Sequence, residues 1–259
     1  MSGFDRAIII QKESGETVFE HDAERTCESS STIKLPILIL ALKKLHQDHR
    51  SLDDILVRKP HHATKGSGIL NWTDAKNISF RDLIFTLLVY SDCLATNMLI
   101  DWVGGQQSIN DWLAKEGLKT SLKKPHLIFN GDEPEMPEVG LTTAREMLKL
   151  YKMLDRLETN NKAEDLVKYA TSHVHESWLE LGLPAKLQDL HHKTGSMINC
   201  GPEGETVYNA AGSFIYNESK YYFCILTHSY LKLNGERVAE EARRSEVGQF
   251  FLAQINTYC

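Results

Sequence analysis

Apolar positions along the chain follow two different periods. Near the N-terminus, Ala7-Ile8-Ile9-Ile10, the turn signal Ser14-Gly15 and Glu16-Thr17-Val18-Phe19 predict two strands joined by a tight turn. From Ser31 to about residue 170 the period becomes helical. Ser79 with Asp82 three residues later predicts a capped helix start before the apolar segment Leu83 to Tyr90. A second helix is expected over Leu94 to Val103, stopped by Gly104-Gly105, and Thr143 with Glu146 opens another that carries Met147, Leu148, Leu150, Tyr151 and Leu154. After Lys193 the β-branched and aromatic segments Thr206 to Tyr216 and Tyr221 to His228 flank Asn217-Glu218-Ser219-Lys220 and predict a second hairpin. A last helix over Glu236 to Ile255 has Val238, Ala242, Val247, Phe250, Phe251 and Ile255 as its apolar set. Strands at both ends and helices between predict one sheet built from the two chain ends, with a helical lobe inserted.

Composition narrows the picture. With 259 residues, 42% of them hydrophobic, the chain can bury one large core or two lobes. A formal charge of −6, with lysines and acids interspersed, disfavours nucleic acid as a partner. No apolar stretch reaches membrane-spanning length, so no membrane partner is expected. Met1-Ser2-Gly3-Phe4-Asp5-Arg6 lacks the basic-then-apolar layout of a signal peptide, so a cytoplasmic setting is expected. Cys27, Cys93, Cys200, Cys224 and Cys259 are an odd set without CxxC spacing, which suits free thiols.

Candidate chemistry begins at Ser29-Ser30-Ser31-Thr32-Ile33-Lys34, at the mouth of the apolar run from Leu35 to Leu42. In a helix, Ser31 and Lys34 share one face. A serine hydroxyl becomes a good nucleophile only when a base takes its proton, and a neutral lysine in an apolar setting can be that base. The plainer assignment makes Ser29 or Ser30 a helix cap and Lys34 a snorkelling surface residue, and the pair by itself does not exclude it. Two further segments weigh against it: Ser91-Asp92-Cys93 interrupts an apolar helical region, and Lys193-Thr194-Gly195-Ser196 opens the C-terminal strand region.

In this order the three segments resemble the S-x-x-K, S-D-N and K-T-G elements of class A β-lactamases and penicillin-binding proteins. The resemblance extends to the N-terminal hairpin, the helical middle, Asn97, Leu183-Pro184-Ala185 and the terminal helix, and so covers nearly the whole chain. Gly66-Ser67-Gly68-Ile69-Leu70 is closer to the broad β-lactamase-related serine hydrolases. The resemblance implies an α/β (α+β) fold of the two-lobed β-lactamase type in a single domain over residues 1–259. The sheet lobe takes about 1–30 and 186–259, and the helical lobe about 31–185. It implies Ser31 as acylated nucleophile, Lys34 as its proton acceptor, and Ser91 as relay to the leaving nitrogen. Lys193 with Thr194 would hold a substrate carboxylate, and the N–H groups of Ser31 and Ser196, next to Gly195, would form the oxyanion hole. No cofactor is implied, and the partner is a small amide, ester or lactam.

Two departures bear on activity. Cys93 replaces the asparagine that contacts a β-lactam side chain, and a thiol cannot supply both its donor and its acceptor. In Glu133-Pro134-Glu135-Met136-Pro137-Glu138, Glu133 is the candidate deacylation base, but the family's leucine and asparagine are missing in register. A β-lactamase, a D-amino-acid peptidase or esterase with slow β-lactam turnover, and a non-catalytic receptor therefore stay open. The pairs His61-His62 and His191-His192 are not expected to bind metal, because neighbours on a strand point to opposite faces. Gly66-Ser67-Gly68 lacks the lysine of a phosphate loop and is expected to be a surface turn, and Trp102 and Trp112 are expected in the core.

Overall fold

The structure is a computed structural model that describes residues 5–129, 138–157, 161–175, 187–200, 205–228 and 237–259. Strand β1 (Asp5–Lys12) turns into β2 (Thr17–His21), as the N-terminal pattern predicts. Strands β8 (Gln188–Cys200), β9 (Glu205–Tyr216) and β10 (Ser219–His228) return near the C-terminus, and the sheet runs β2-β1-β10-β9-β8 with every pairing antiparallel. The two chain ends thus meet where β1 pairs with β10, for example Ile9 opposite Cys224.

Both faces of this sheet are covered, which explains why Ala7-Ile8-Ile9-Ile10 does not alternate with polar residues. Ile8 and Ile10 pack with Phe214, Phe223 and Ile225 against Val247, Phe251 and Ile255 of the terminal helix (Arg237–Tyr258). Those three helix residues are four apart, so one stripe faces the sheet. Val238 and Ala242, expected in the same stripe, have side chains outside the described residues. Ala7 and Ile9 point the other way, into a larger core shared with the helices.

Those helices are α1 (Lys34–Gln47), α2 (Phe80–Val89), α3 (Cys93–Trp102), α4 (Gly105–Lys115), α5 (Ala144–Asp155) and α6 (Asn161–Thr171), with the terminal helix as α7. Ser79 caps α2 by accepting the Asp82 N–H at 3.1 Å, and Thr143 caps α5 by accepting the Glu146 N–H at 3.1 Å. Glu146 does not close back on its cap. Its carboxylate accepts the N–H groups of Lys119 and Thr120 at 2.8 and 2.7 Å, which ties the segment after α4 to α5.

Several features depart from the sequence expectation. Ser31 lies not on the α-helix but on a 3-10 turn over Ser30–Ile33 that leads into α1, because Ser30 takes a positive φ of 49° and cannot continue a right-handed helix upstream. Helices α4 and α6 went unread in the pattern, and α3 begins at Cys93, capped by Asp92. Short strands β3 (Cys27–Glu28), β6 (Ser121–Leu122) and β7 (Gly140–Thr142) form a small sheet below the serine turn, and β4 (Ile55–Val57) pairs with β5 (Asn77–Ser79). Cys27, Cys93, Cys224 and Cys259 are free thiols. Among the described residues, no helix is long and apolar enough to cross a membrane.

Candidate active site

Three separate stretches of chain converge at Lys34. Its side chain is fully buried, and its Nζ donates to Ser31 Oγ at 3.1 Å, Ser91 Oγ at 2.9 Å and the Ser91 carbonyl, with Cys93 Sγ at 3.4 Å. The 3-10 turn sets the first contact, since residues three apart eclipse on it. Among the described residues Lys34 has no carboxylate partner, so a buried amine faces only hydroxyls, a carbonyl and a thiol.

Lys193 reaches the same hydroxyl from the sheet. Its Nζ lies 3.0 Å from Ser91 Oγ and 2.6 Å from the Thr194 carbonyl, and the side chain is fully buried. The Ser91 hydroxyl is thus held between two amines. Ser91 itself has φ of 52°, a left-handed conformation unusual for serine that turns the chain between α2 and α3. Two anchors hold that turn. Asp92 accepts the N–H groups of Ile69, Leu70 and Ala95 at 2.7, 2.8 and 2.9 Å, and Ser67 Oγ donates to the Ser91 carbonyl at 2.7 Å. Gly68, at φ of 117°, is needed here, because a Cβ would stand 2.3 Å from the Asp92 carboxylate.

Strand β8 passes very close to the serine turn. A methyl group on Gly195 would come within 2.7 Å of the Ser31 nitrogen and 2.9 Å of the Thr32 nitrogen, so only glycine lets the strand edge run alongside these N–H groups. Ser31, Ser67, Tyr90, Ser91, Thr194 and Ser196 line a small cavity of about 50 Å³ at this junction, with Gly195, Val89 and Val174. No carboxylate lines it among the described residues. A larger hollow of about 460 Å³ lies elsewhere, beside Tyr151, Asp155, His191 and Lys220, and does not include Ser31.

The structure therefore brings together Ser31, Lys34, Ser91, Lys193, Thr194, Gly195 and Ser196. Cys93 is buried against Lys34 and Ser67 Oγ, 3.4 Å from each, and is not in the cavity wall. Glu133 and the segment Leu183-Pro184-Ala185 lie outside the described residues. Asn97 is buried one turn into α3. Its amide donates to the His62 and Leu127 carbonyls and its oxygen accepts the Leu127 N–H at 2.7 Å.

Sequence reasoning missed Ser67, whose neighbourhood looked like a surface turn, and it missed Glu28. Glu28 Oε1 accepts the N–H groups of Ser30, Val139 and Gly140 at 3.1, 3.2 and 3.3 Å, while Oε2 is buried without a hydrogen-bond partner among the described residues. Burial pushes its carboxyl from the ordinary 4.5 to about 7, against the pull of the three N–H donors, and Glu138 adds repulsion. No local pattern marks Glu28, because its partners at 139 and 140 are distant in sequence. His192, beside Lys193, is pushed down to about 3 by burial and by the Lys193 charge, so it is neutral.

His61 and His62 lie on a 3-10 turn over Pro60–His62, not on a strand, and both rings reach Asp101 on α3. None of the three lines the cavity.

The site and the sheet-plus-helices frame define a β-lactamase-type fold. The sequence profile of the Beta-lactamase enzyme family matches residues 5–249, and the chain belongs to that family. The fold is similar to that of a class A β-lactamase from Bacteroides cellulosilyticus (TM-score 0.77, 20% identity, 98% of this chain and 92% of that chain covered). It is likewise similar to a β-lactamase from Burkholderia vietnamiensis (TM-score 0.79, 15% identity, 98% and 92% covered). A variant of PBP-A, captured as an acyl-enzyme complex with penicillin G, matches with TM-score 0.76 and 21% identity over 98% of this chain and 92% of that one. At these identities the likeness concerns the fold. Among curated proteins none matches in sequence.

Proposed function

We propose that the protein is a serine hydrolase that cleaves small amide, ester or lactam bonds through an acyl-Ser31 intermediate. One observation carries the reading: the Lys34 amine touches the hydroxyls of both Ser31 and Ser91, and Lys193 reaches Ser91 from strand β8. In the proposed reaction, the Lys34 amine acts as the base that takes the Ser31 proton as Oγ bonds to the substrate carbonyl carbon. The carbonyl oxygen gains negative charge, and the Ser31 and Ser196 N–H groups are the donors proposed to stabilise it, a role consistent with the close approach of Gly195 to the Ser31 nitrogen. The proton then passes from Lys34 through Ser91 Oγ to the leaving nitrogen or oxygen, whose bond to carbon breaks. Lys193, with Thr194, attracts a substrate carboxylate, which favours acidic small molecules such as β-lactams.

Hydrolysis of the ester needs a water and a base. The absence of the family's leucine and asparagine in register with Glu133 favours slow deacylation and a lasting adduct over rapid β-lactam turnover. Buried Cys93 gives no amide for recognising an acylamino side chain, which also favours simple substrates over elaborate penicillins.

The test is the intact mass of the protein after incubation with benzylpenicillin, beside Ser31→Ala. A lasting adduct that the substitution abolishes is the expected result. Consumption of penicillin without an adduct would mean fast deacylation and a working base near Glu133. Intact penicillin with no adduct would remove β-lactams as substrates; labelling of Ser31 by an active ester would then separate an esterase or amidase from a receptor.

A further inference from the structure

Outside the catalytic cavity, one side-chain cluster has a composition that the proposed reaction does not use. Three imidazoles converge on the single carboxylate of Asp101. His61 Nε2 lies 2.7 Å and His62 Nε2 3.0 Å from Oδ2, and His126 Nε2 lies 2.7 Å from Oδ1. The donor atoms of His61, His62 and Asp101 all fall within 4.8 Å of one another. The rings come from two different stretches of chain, the 3-10 turn at 60–62 and the segment that precedes Leu127, and meet on α3.

We propose that this cluster is a surface site for a divalent transition metal of the zinc type, bound through Asp101 and the imidazole of His61, with the His126 imidazole turning in from the Oδ1 side of the same carboxylate to join them. Imidazole and carboxylate together suit such ions, whereas magnesium and calcium prefer oxygen alone. The tautomers assign the roles. His62 Nδ1 accepts the Lys59 backbone N–H at 3.0 Å, so its proton resides on Nε2, and this ring donates to Asp101 and orients it. That is the arrangement of an outer-layer donor that steadies a metal-binding carboxylate. His61 is half exposed and His126 partly so, and each can turn an unprotonated Nε2 toward an ion by placing its proton on Nδ1. Lys59 Nζ stands 3.8 Å from Oδ2, but its side chain is mostly exposed and can swing away.

The location gives such an ion a consequence. Asn97, one turn before Asp101 on α3, already holds the His62 carbonyl and both backbone groups of Leu127. The Lys65 N–H donates to the Phe129 carbonyl. An ion at Asp101 would therefore clamp the segment up to Phe129 and the turn before Ser67 to the helix that begins beside Ser91. This inference is independent of the acyl-serine reading.

The test uses the full chain without a histidine tag, titrated with Zn²⁺ by calorimetry and, separately, with Mg²⁺. Expected are one Zn²⁺ per chain, no comparable binding of Mg²⁺, and affinity lower by about tenfold or more in His61→Ala and in His126→Gln. At about a hundredfold excess over the dissociation constant, the melting temperature should rise by roughly 5 °C. Bound Co²⁺ should show d–d bands without thiolate charge transfer. His61→Ala alters an exposed ring, so its metal-free melting temperature should match that of the parent and keep the comparison valid if His126→Gln folds poorly. Absence of stoichiometric binding, equal binding of Mg²⁺, unchanged affinity in His61→Ala, or a thiolate band would each overturn the proposal.

Discussion

Glu28 offers a direct measurement of what the serine turn costs the fold. Its carboxyl is largely buried below Ser30 and is raised from 4.5 to about 7, chiefly by desolvation. The native state therefore holds this proton more tightly than the unfolded chain does. Below pH 4.5 both states are protonated and nothing is lost; as pH climbs from 4.5 through 7, stability falls, and above 7 the loss is complete. The window, 7 minus 4.5, is 2.5 pH units, and at 1.36 kcal/mol per unit the loss is about 3 kcal/mol. Glu28→Gln keeps an oxygen for the N–H groups of Ser30, Val139 and Gly140 but has no proton to lose. The assay is urea unfolding of both proteins at several pH values between 4.5 and 8. The stability of Glu28→Gln relative to the parent should rise by about 3 kcal/mol across this range, equivalent to several degrees in melting temperature. Any misfit of the new amide against the buried Oε2 position adds a constant offset and leaves that slope intact. A relative stability that does not change with pH would refute the reasoning, since the carboxyl would then titrate alike in both states.

Further outcomes follow from the same geometry. Lys34→Ala should slow acylation by benzylpenicillin or an active ester by about 10² to 10⁴-fold, read by time-resolved mass spectrometry, because the amine that touches the Ser31 hydroxyl is gone. Gly195→Ala should lower the acylation rate by about 100-fold, since the added methyl meets the Ser31 and Thr32 nitrogens and must push β8 away. Asn97→Ala should cost about 2 kcal/mol or more in chemical denaturation, because it strands the buried N–H and carbonyl of Leu127. Ser79→Ala should cost about 1 kcal/mol through loss of the α2 cap, with acylation unchanged.

The elements that sequence determined are those whose cause is local. The caps at Ser79 and Thr143 each involve a side chain and an N–H three residues on, so they are legible in a short window. The N-terminal strands and the C-terminal hairpin likewise follow from turn residues between β-favouring runs. Ser31 and Lys34 could be paired because only three residues separate them, and the ordered motifs at 91 and 193 supplied the other groups by resemblance. Tertiary structure decided the rest. Ser91 lies 57 residues and Lys193 another 102 from their partners in this network, and no local period encodes such contacts. The need for glycine at 195 and the raised carboxyl of Glu28 exist only because β3, β7 and β8 crowd the serine turn, and the positive φ of Ser91 is held by Asp92 and Ser67 from distant segments. The histidines show the same limit from the other side. Read as a strand, His61 and His62 diverge; folded as a 3-10 turn against α3, they converge on one carboxylate. Local preference selects the elements, whereas the surroundings of a buried charge or hydroxyl depend on which distant segments the shared core forces together.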